Sequence, residues 1–263
     1  MEKTDILETI VAHKQTEIMQ EEKIVSPGQL ERQAEDLPPC ISMKQALAVS
    51  RSGIIAEFKR RSPSKDWINR EADAAVIPAG YGQAGASALS ILTDKAFFGG
   101  TLRDIRLARP KTSLPILRKD FIISTYQLYQ AKVAGCDAVL LIAAILSPEE
   151  CRKLARKAHE LQMEVLLELH TEAELDYVNE HIDMVGVNNR NLGTFHTDVE
   201  NSFRLAERLP KDFLHVAESG ISRPDTVRQL RKAGFQGFLM GEAFMKTPNP
   251  AAALSNFLKE LQP

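Results

Sequence analysis

Ile54-Ile55-Ala56-Glu57-Phe58-Lys59-Arg60-Arg61-Ser62-Pro63-Ser64 begins as an apolar strand and ends in charged residues and a polar loop. Strand side chains alternate between faces, so Glu57 and Lys59 share one side, with Ala56 and Phe58 on the other. Opposite charges at the mouth of a buried strand are costly unless they pair or do chemistry. A strand-end ion pair would account for this strand taken alone. Repetition argues for more. An apolar run closed by one polar or small residue returns at Lys119, Glu168, Asn188, Glu218 and Gly241.

Eight such runs are predicted as strands: Ile54–Phe58, Ala88–Leu92, Leu114–Leu117, Ala138–Ile142, Val165–Leu169, Met184–Val187, Leu214–Ala217 and Gly237–Met240. They recur about every 26 residues with helical segments between them, which suits βα units and a parallel sheet. Helix starts are marked by capping boxes at Ser147-Pro148-Glu149-Glu150 and Thr171-Glu172-Ala173-Glu174, by Ser124 with Gln127, and by Asn249-Pro250. Gly135 and Gly234 stand where helices should end. An open doubly wound sheet would need a Gly-rich first turn. Gly80-Tyr81-Gly82-Gln83-Ala84-Gly85 lies instead at the end of a helix before a strand, the wrong side for a phosphate loop. The reading is an α/β protein, a closed (β/α)8 TIM barrel over residues 51–263. Residues 1–50 read as an N-terminal helical extension, too small to hold a core alone. Ile6, Leu7, Ile10, Val11, Lys14 and Ile18 give a helix from Thr4 to about Gln20; Ser26-Pro27-Gly28 reads as a break before a short helix from about Gln29, and Met43 to Val49 as another.

Bulk properties bound the rest. The 263 residues are 44% hydrophobic and 26% charged, enough for a full core. A net charge of -2 gives no reason to expect nucleic acid or an anionic membrane as partner. Cys40, Cys136 and Cys151 lack any C-x-x-C spacing, and the six histidines form no H-x-x-x-H, so neither disulfides nor a metal set are expected. No apolar run reaches the length of a membrane span and the charged start is no signal peptide. A cytoplasmic monomer is expected.

In a barrel the C-terminal strand ends meet at one face, so the closing residues should surround one pocket. Lys119 ends strand three and would project beside Lys59. A lysine near another cation, or partly desolvated, loses proton affinity and can act as a general acid near neutrality. Glu168 ends strand five and offers the complementary base, or a salt bridge that balances the lysines. His170 falls on the same face two residues on, as a loop residue or a support behind the site. After strand six Asn188 can donate and accept, and Arg190 can hold a carboxylate or phosphate bidentately, though either suits a solvated loop. Ser219-Gly220 after strand seven and Gly241 after strand eight let backbone N–H groups approach an anion, where Glu242 would have to turn its carboxylate away.

Glu57, Lys59 and Ser62-Pro63-Ser64, Ala88-Leu89-Ser90-Ile91-Leu92-Thr93-Asp94, Leu117-Arg118-Lys119-Asp120-Phe121-Ile122, Val187-Asn188-Asn189-Arg190-Asn191-Leu192, Ala217-Glu218-Ser219-Gly220-Ile221 and Leu239-Met240-Gly241-Glu242 together resemble indole-3-glycerol phosphate synthases. The resemblance runs from about Ile54 to Met245 and includes the helical extension. It implies ring closure of 1-(2-carboxyphenylamino)-1-deoxyribulose 5-phosphate with loss of carbon dioxide and water, in tryptophan biosynthesis, without metal or organic cofactor. By similarity Lys119 would be the general acid and Glu168 its acid/base partner in dehydration. Glu57 and Lys59 would sit in the active site, Lys59 on an anionic part of the substrate, while Asn188 and Glu218 would line the reacting centre. Ser62 and Arg190 would hold the carboxylate side, Phe98 and Phe121 would pack on the aromatic ring, and Ser219, Gly220, Gly241 and Glu242 would form the phosphate site.

One departure from the family pattern stands out: where a glycine commonly follows Ser64-Lys65, this chain has Asp66-Trp67. The loop from Arg60 to Arg70 reads as a mobile lid, with Trp67 either a substrate contact or an anchor for the lid. The chain ends at Pro263 soon after the last helix, so no fused second enzyme is expected. Two rivals are another phosphate-binding barrel, such as a phosphoribosylanthranilate isomerase, and a barrel that binds without turnover.

Overall fold

The computed structural model describes residues 6–191, 193 and 196–261. Thr4 as helix start, Leu192 and Pro263 lie outside the described residues. Eight strands, β1 (Ile54–Phe58), β2 (Ala88–Leu92), β3 (Ile116–Lys119), β4 (Ala138–Ile142), β5 (Glu164–Leu169), β6 (Met184–Asn188), β7 (Leu214–Glu218) and β8 (Gly237–Met240), form a closed parallel barrel in sequence order. β1 closes the ring, pairing Ile55 with Ala88 of β2 and Ile54 with Phe238 of β8. Period-two alternation decides the core. Ile55, Leu117, Leu140, Leu166, Met184, Val216 and Leu239 fill the interior, while Ile54, Phe58, Leu89, Val139, Leu167, Val185 and Phe238 pack under the helices. Further along the inner face stand Glu57, Lys119, Glu168 and Glu218, one step on, and Asn188, one step beyond Gly186, which is why the polar residues collect at one end of the barrel.

Three expectations need correction. The third strand starts at Ile116, not Leu114: Leu114 N bonds Thr112 Oγ1 at 3.1 Å, its carbonyl takes a hydrogen bond from Arg109 Nη2 at 2.8 Å, and Pro115 has no N–H to give. Lys119 is consequently the last rung of the ladder, opposite Leu92. Among the described residues six of the seven connections between strands hold an α-helix, as does the segment after β8, but the connection after β5 is a 3-10 helix, Glu172–Tyr177. Its capping box is present, yet Val178 is extended and Asn179 turns its side chain onto the backbone of Tyr177 and His181, which stops the helix after two turns. The break at Ser26 is present, but the second helix starts at Pro27 rather than about Gln29, because Ser26 and Gln29 form a capping box with Pro27 first inside.

Among the described residues three helices, α1 (Ile6–Ile24), α2 (Pro27–Glu35) and α3 (Met43–Ala48), precede β1. α1 lies over the polar end of the barrel, where Ile10 joins the interior cluster and Ile6 and Leu7 pack against it. One turn beyond Ile10, Lys14 is fully buried, with Nζ 2.9 Å from Glu17, 3.0 Å from Asp94 and 3.1 Å from Asp120. Arg118 Nη2 at 2.8 Å and Thr93 Oγ1 at 2.6 Å share the other oxygen of Asp120, whose carboxyl is held well below the usual range despite its burial. Among the described residues no helix is long and apolar enough to cross a membrane.

The opposite end is stitched by Asp137. Its carboxylate accepts from Ile41 N at 2.7 Å, Ile116 N at 2.8 Å and Arg109 Nη1 at 2.7 Å, joining the chain before α3 to the start of β3. Asp137→Ala should lower stability by about 3 kcal/mol, since it strips partners from two backbone donors and a guanidinium. A urea midpoint equal to that of the parent would show that solvent replaces those bonds.

Candidate active site

The polar end of the barrel opens into a cavity of about 440 Å³. Glu57, Lys59, Phe98, Lys119, Phe121, Glu168, Asn188, Arg190, Glu218, Ser219, Gly220, Gly241 and Glu242 all line it, together with Ile6, Leu7 and Ile10 of α1. Ser62 does not line it. This residue is buried in a two-stranded hairpin, Arg61–Ser62 with Asp66–Trp67, into which the loop expected to be a lid folds.

Lys119 is the centre of the set. Its Nζ lies 3.0 Å from Glu168 Oε2 and 3.4 Å from Glu218 Oε2. Lys59 pairs with Glu57 at 2.5 Å, so the strand-end ion pair does form, inside the cavity. Two glycines make room for this crowding. A Cβ on Gly186 would stand 2.4 Å from Glu218 Oε1, and one on Gly241 would stand 2.5 Å from Glu57 Oε1. Sequence reading passed over Gly186, whose only signal is a glycine inside an apolar strand.

The electrostatics revise one expectation. Burial pulls Lys119 toward the neutral amine, but Glu168, Glu218 and Glu57 outweigh it and hold the ammonium above the ordinary lysine range. Lys59 does not weaken it, because Lys59 is spent on Glu57. Burial raises Glu168 too, and Lys119, His170 and a hydrogen bond from the Asn188 amide overcome this and lower its pKa. Glu218 goes the other way: burial raises it, Lys119 opposes, and the neighbouring Glu168 carboxylate raises it further. Both Glu218 oxygens lack a hydrogen-bond partner. Burial and the Glu168 carboxylate therefore make Glu218 the carboxyl of the cluster with the raised proton affinity. With a proton there the cluster is neutral as a whole, two ammonium groups facing two carboxylates and one carboxylic acid.

The loops are fixed by asparagines that the sequence did not single out. Asn189 Nδ2 donates to Ser219 O at 3.1 Å and its Oδ1 accepts from Ser202 N at 3.0 Å, so the turn after β7 is tied to the loop after β6. Ser219 and Gly220 have φ of 66° and 74°, and a Cβ on Gly220 would meet Thr197 at 2.6 Å. Asn201 Nδ2 donates to Asn188 O at 3.3 Å and His170 O at 3.1 Å. Arg190 Nη1 donates to Ser64 Oγ at 2.9 Å and Nη2 lies 3.8 Å from Glu242, whose carboxylate also faces Lys65 at 3.8 Å. Glu242 thus turns toward cations of the cavity rim. Trp67 is outside the cavity, packed against Gly99 and under the Arg70 guanidinium at 5.0 Å. It anchors the hairpin to the loop after β2. Phe98 and Phe121 stand 6.0 Å apart as a tilted pair. Among the described residues no group of His, Cys, Asp and Glu could hold a metal ion.

Solved barrels share the fold at low identity. The chain superposes on 3-hexulose-6-phosphate synthase from Salmonella typhimurium with a TM-score of 0.61 and 15% identity, covering 80% of this chain and 99% of that one. For the tryptophan synthase alpha subunit of Legionella pneumophila the TM-score is 0.60 at 14% identity, with 83% and 96% covered. Sequence relatives are nearer. The chain is 61% identical over 258 residues to the indole-3-glycerol phosphate synthase of Bacteroides thetaiotaomicron, covering 98% of this chain and 99% of that protein. Identity to that of Bordetella pertussis is 40% over 259 residues, with 97% and 99% covered. The family model for indole-3-glycerol phosphate synthase matches residues 7–257, from the helix over the cavity through all eight strands to the last helix. With the strand-end residues gathered around one cavity and kinship along nearly its whole length, the chain belongs to the indole-3-glycerol phosphate synthase family.

Proposed function

We propose that the cavity closes the indole ring of 1-(2-carboxyphenylamino)-1-deoxyribulose 5-phosphate, with Lys119 as the proton donor. The observation that carries this reading is the buried Lys119 ammonium 3.0 Å from Glu168 and 3.4 Å from Glu218. The aryl carbon that bears the carboxylate attacks the ketone carbon, and Lys119 protonates the carbonyl oxygen. Positive charge that develops on the ring nitrogen is stabilised by the carboxylates until carbon dioxide leaves and its electron pair returns to the ring. The proton held on Glu218 is at hand for the departing hydroxyl, while Glu168 takes the proton released as the indole becomes aromatic.

Around this centre Phe98 and Phe121 pack on the aryl ring and Asn188 orients the sugar. Lys59 and the backbone of Ser219, Gly220, Gly241 and Glu242 hold the phosphate. Arg190 and Ser62 serve the carboxylate side, reaching it through the Ser64 contact when the hairpin closes. The protein acts as a cytoplasmic monomer on this small phosphorylated substrate, with no nucleic acid or membrane partner and no metal or organic cofactor.

Purified protein mixed with the substrate in EDTA should produce indole fluorescence. Lys119→Met should lower kcat by at least about 10³-fold with the circular dichroism spectrum unchanged. Near-parental turnover would remove Lys119 from its role.

Glu218 supplies a second test, through pH. The folded protein binds this proton more tightly than the unfolded chain. Its contribution to stability is therefore complete below the ordinary carboxyl pKa of about 4.3 and is lost as the pH climbs through the raised folded value. The urea midpoint of Glu218→Gln should gain on that of the parent between about pH 5 and pH 9. A gap that stays constant means Glu218 is already ionised in the folded protein.

A further inference from the structure

His170 is a half-buried titratable side chain, both of whose ring nitrogens are buried, and it has no part in the steps above. It follows Glu168 by two residues, so it lies on the same side of β5. Its Nε2 stands 3.4 Å from Glu168 Oε1. The other Glu168 oxygen, Oε2, is the one that meets Lys119. The carboxylate is therefore flanked at both ends, by an ammonium on the cavity side and an imidazole behind. His170 does not line the cavity, and neither ring nitrogen has a hydrogen-bond partner of good geometry. A buried unpartnered imidazole needs an explanation in a native structure.

The backbone shows that the ring is placed. His170 N donates to Glu174 Oε2 at 2.5 Å, and His170 O accepts from Asn201 Nδ2 at 3.1 Å. Asn201 also bonds Asn188 O, so the same amide ties the ends of β5 and β6. The charged groups that face the ring are Glu168 from β5 and Glu174, 4.0 Å from Nδ1, from the 3-10 helix. A small rotation of Glu168 brings its Oε1 within hydrogen-bonding distance of Nε2.

We infer that His170 is a positioning residue that holds the Glu168 carboxylate in the orientation its proton transfer requires. The inference rests on the proposed role of Glu168. When Glu168 takes the proton of the aromatising ring, Oε2 must leave Lys119 and point at carbon, and the imidazole fixes the opposite oxygen while it does so. Substrate binding is untouched, because His170 lies behind the carboxylate.

The test compares two amides that differ by one methylene. His170→Gln carries a donor at about the reach of Nε2; His170→Asn is too short to reach Glu168. We expect His170→Asn to lose about 10- to 100-fold in kcat with KM within about threefold of the parent, and His170→Gln to restore most of that loss. Equal kcat in the two variants, or a loss carried by KM alone, would overturn the inference, since a merely structural role predicts no such split. Glu168→Gln separates the two ideas. If it remains active the role of Glu168 fails; if it is inactive while His170→Asn keeps full kcat, only the inference fails.

Discussion

Everything at the open end of this barrel depends on the cost of burying charge. Three carboxylates and two ammonium groups stand in one cavity, and an isolated ion there would lose far more solvation than its partners return. The arrangement settles this by near-neutrality. Lys59 is matched to Glu57, Lys119 to Glu168, and the fifth group, Glu218, has its proton affinity raised by burial and by Glu168. The same balance sets the chemistry: an ammonium with surplus proton affinity beside one acid and one base. Structural ion pairing and catalysis are one arrangement seen from two sides.

A second buried charge, Lys14, extends that logic to the helix over the cavity. Asp94 caps the short helix that carries Phe98, accepting from Phe97 N at 2.7 Å, and Asp120 follows Lys119 directly. Two of the three carboxylates that face Lys14 therefore belong to the segments that carry an aromatic wall and the ammonium, and only Glu17 belongs to α1 itself. Arg118, buried on the outer side of β3, completes the cluster. α1 is fastened through ions where hydrophobic contact alone would let it slide.

Much of this was legible in the chain because a parallel barrel reads simply. Alternation in Ile55–Glu57, Leu117–Lys119 and Leu166–Glu168 is local, and barrel closure turns a one-dimensional pattern into a ring. What stayed hidden depends on distant partners. Lys14 looks like an ordinary position of an amphipathic helix, since Asp94 and Asp120 are far along the sequence. The proton affinity of Lys119 runs opposite to what a neighbouring cation would give, because Lys59 pairs with Glu57 while Glu168 and Glu218 close around Lys119. Trp67 could be assigned only once Gly99 and Arg70 were seen around it. The turn chemistry of Asn179, which shortens the connection after β5, competes with a sound capping box and cannot be weighed from propensity.

The glycines beneath the carboxylates carry a consequence for descent. At Gly186 and Gly241 even one methyl group meets a carboxylate oxygen, so a side chain at either position must push Glu218 or Glu57 out of its place in the ion cluster. The two pairs differ in the reverse direction. A shorter residue at 218 would release Gly186, leaving Leu166 as the nearest neighbour at 3.2 Å, and a side chain then gained there would stand in the way of a returning glutamate. At 57 the Cβ itself would stand 2.9 Å from a Cβ on Gly241, so that position stays tight whichever side chain replaces Glu57. Only the Glu218–Gly186 pair works as a ratchet: a lineage that shortens the glutamate and then fills the glycine needs two changes to recover the arrangement.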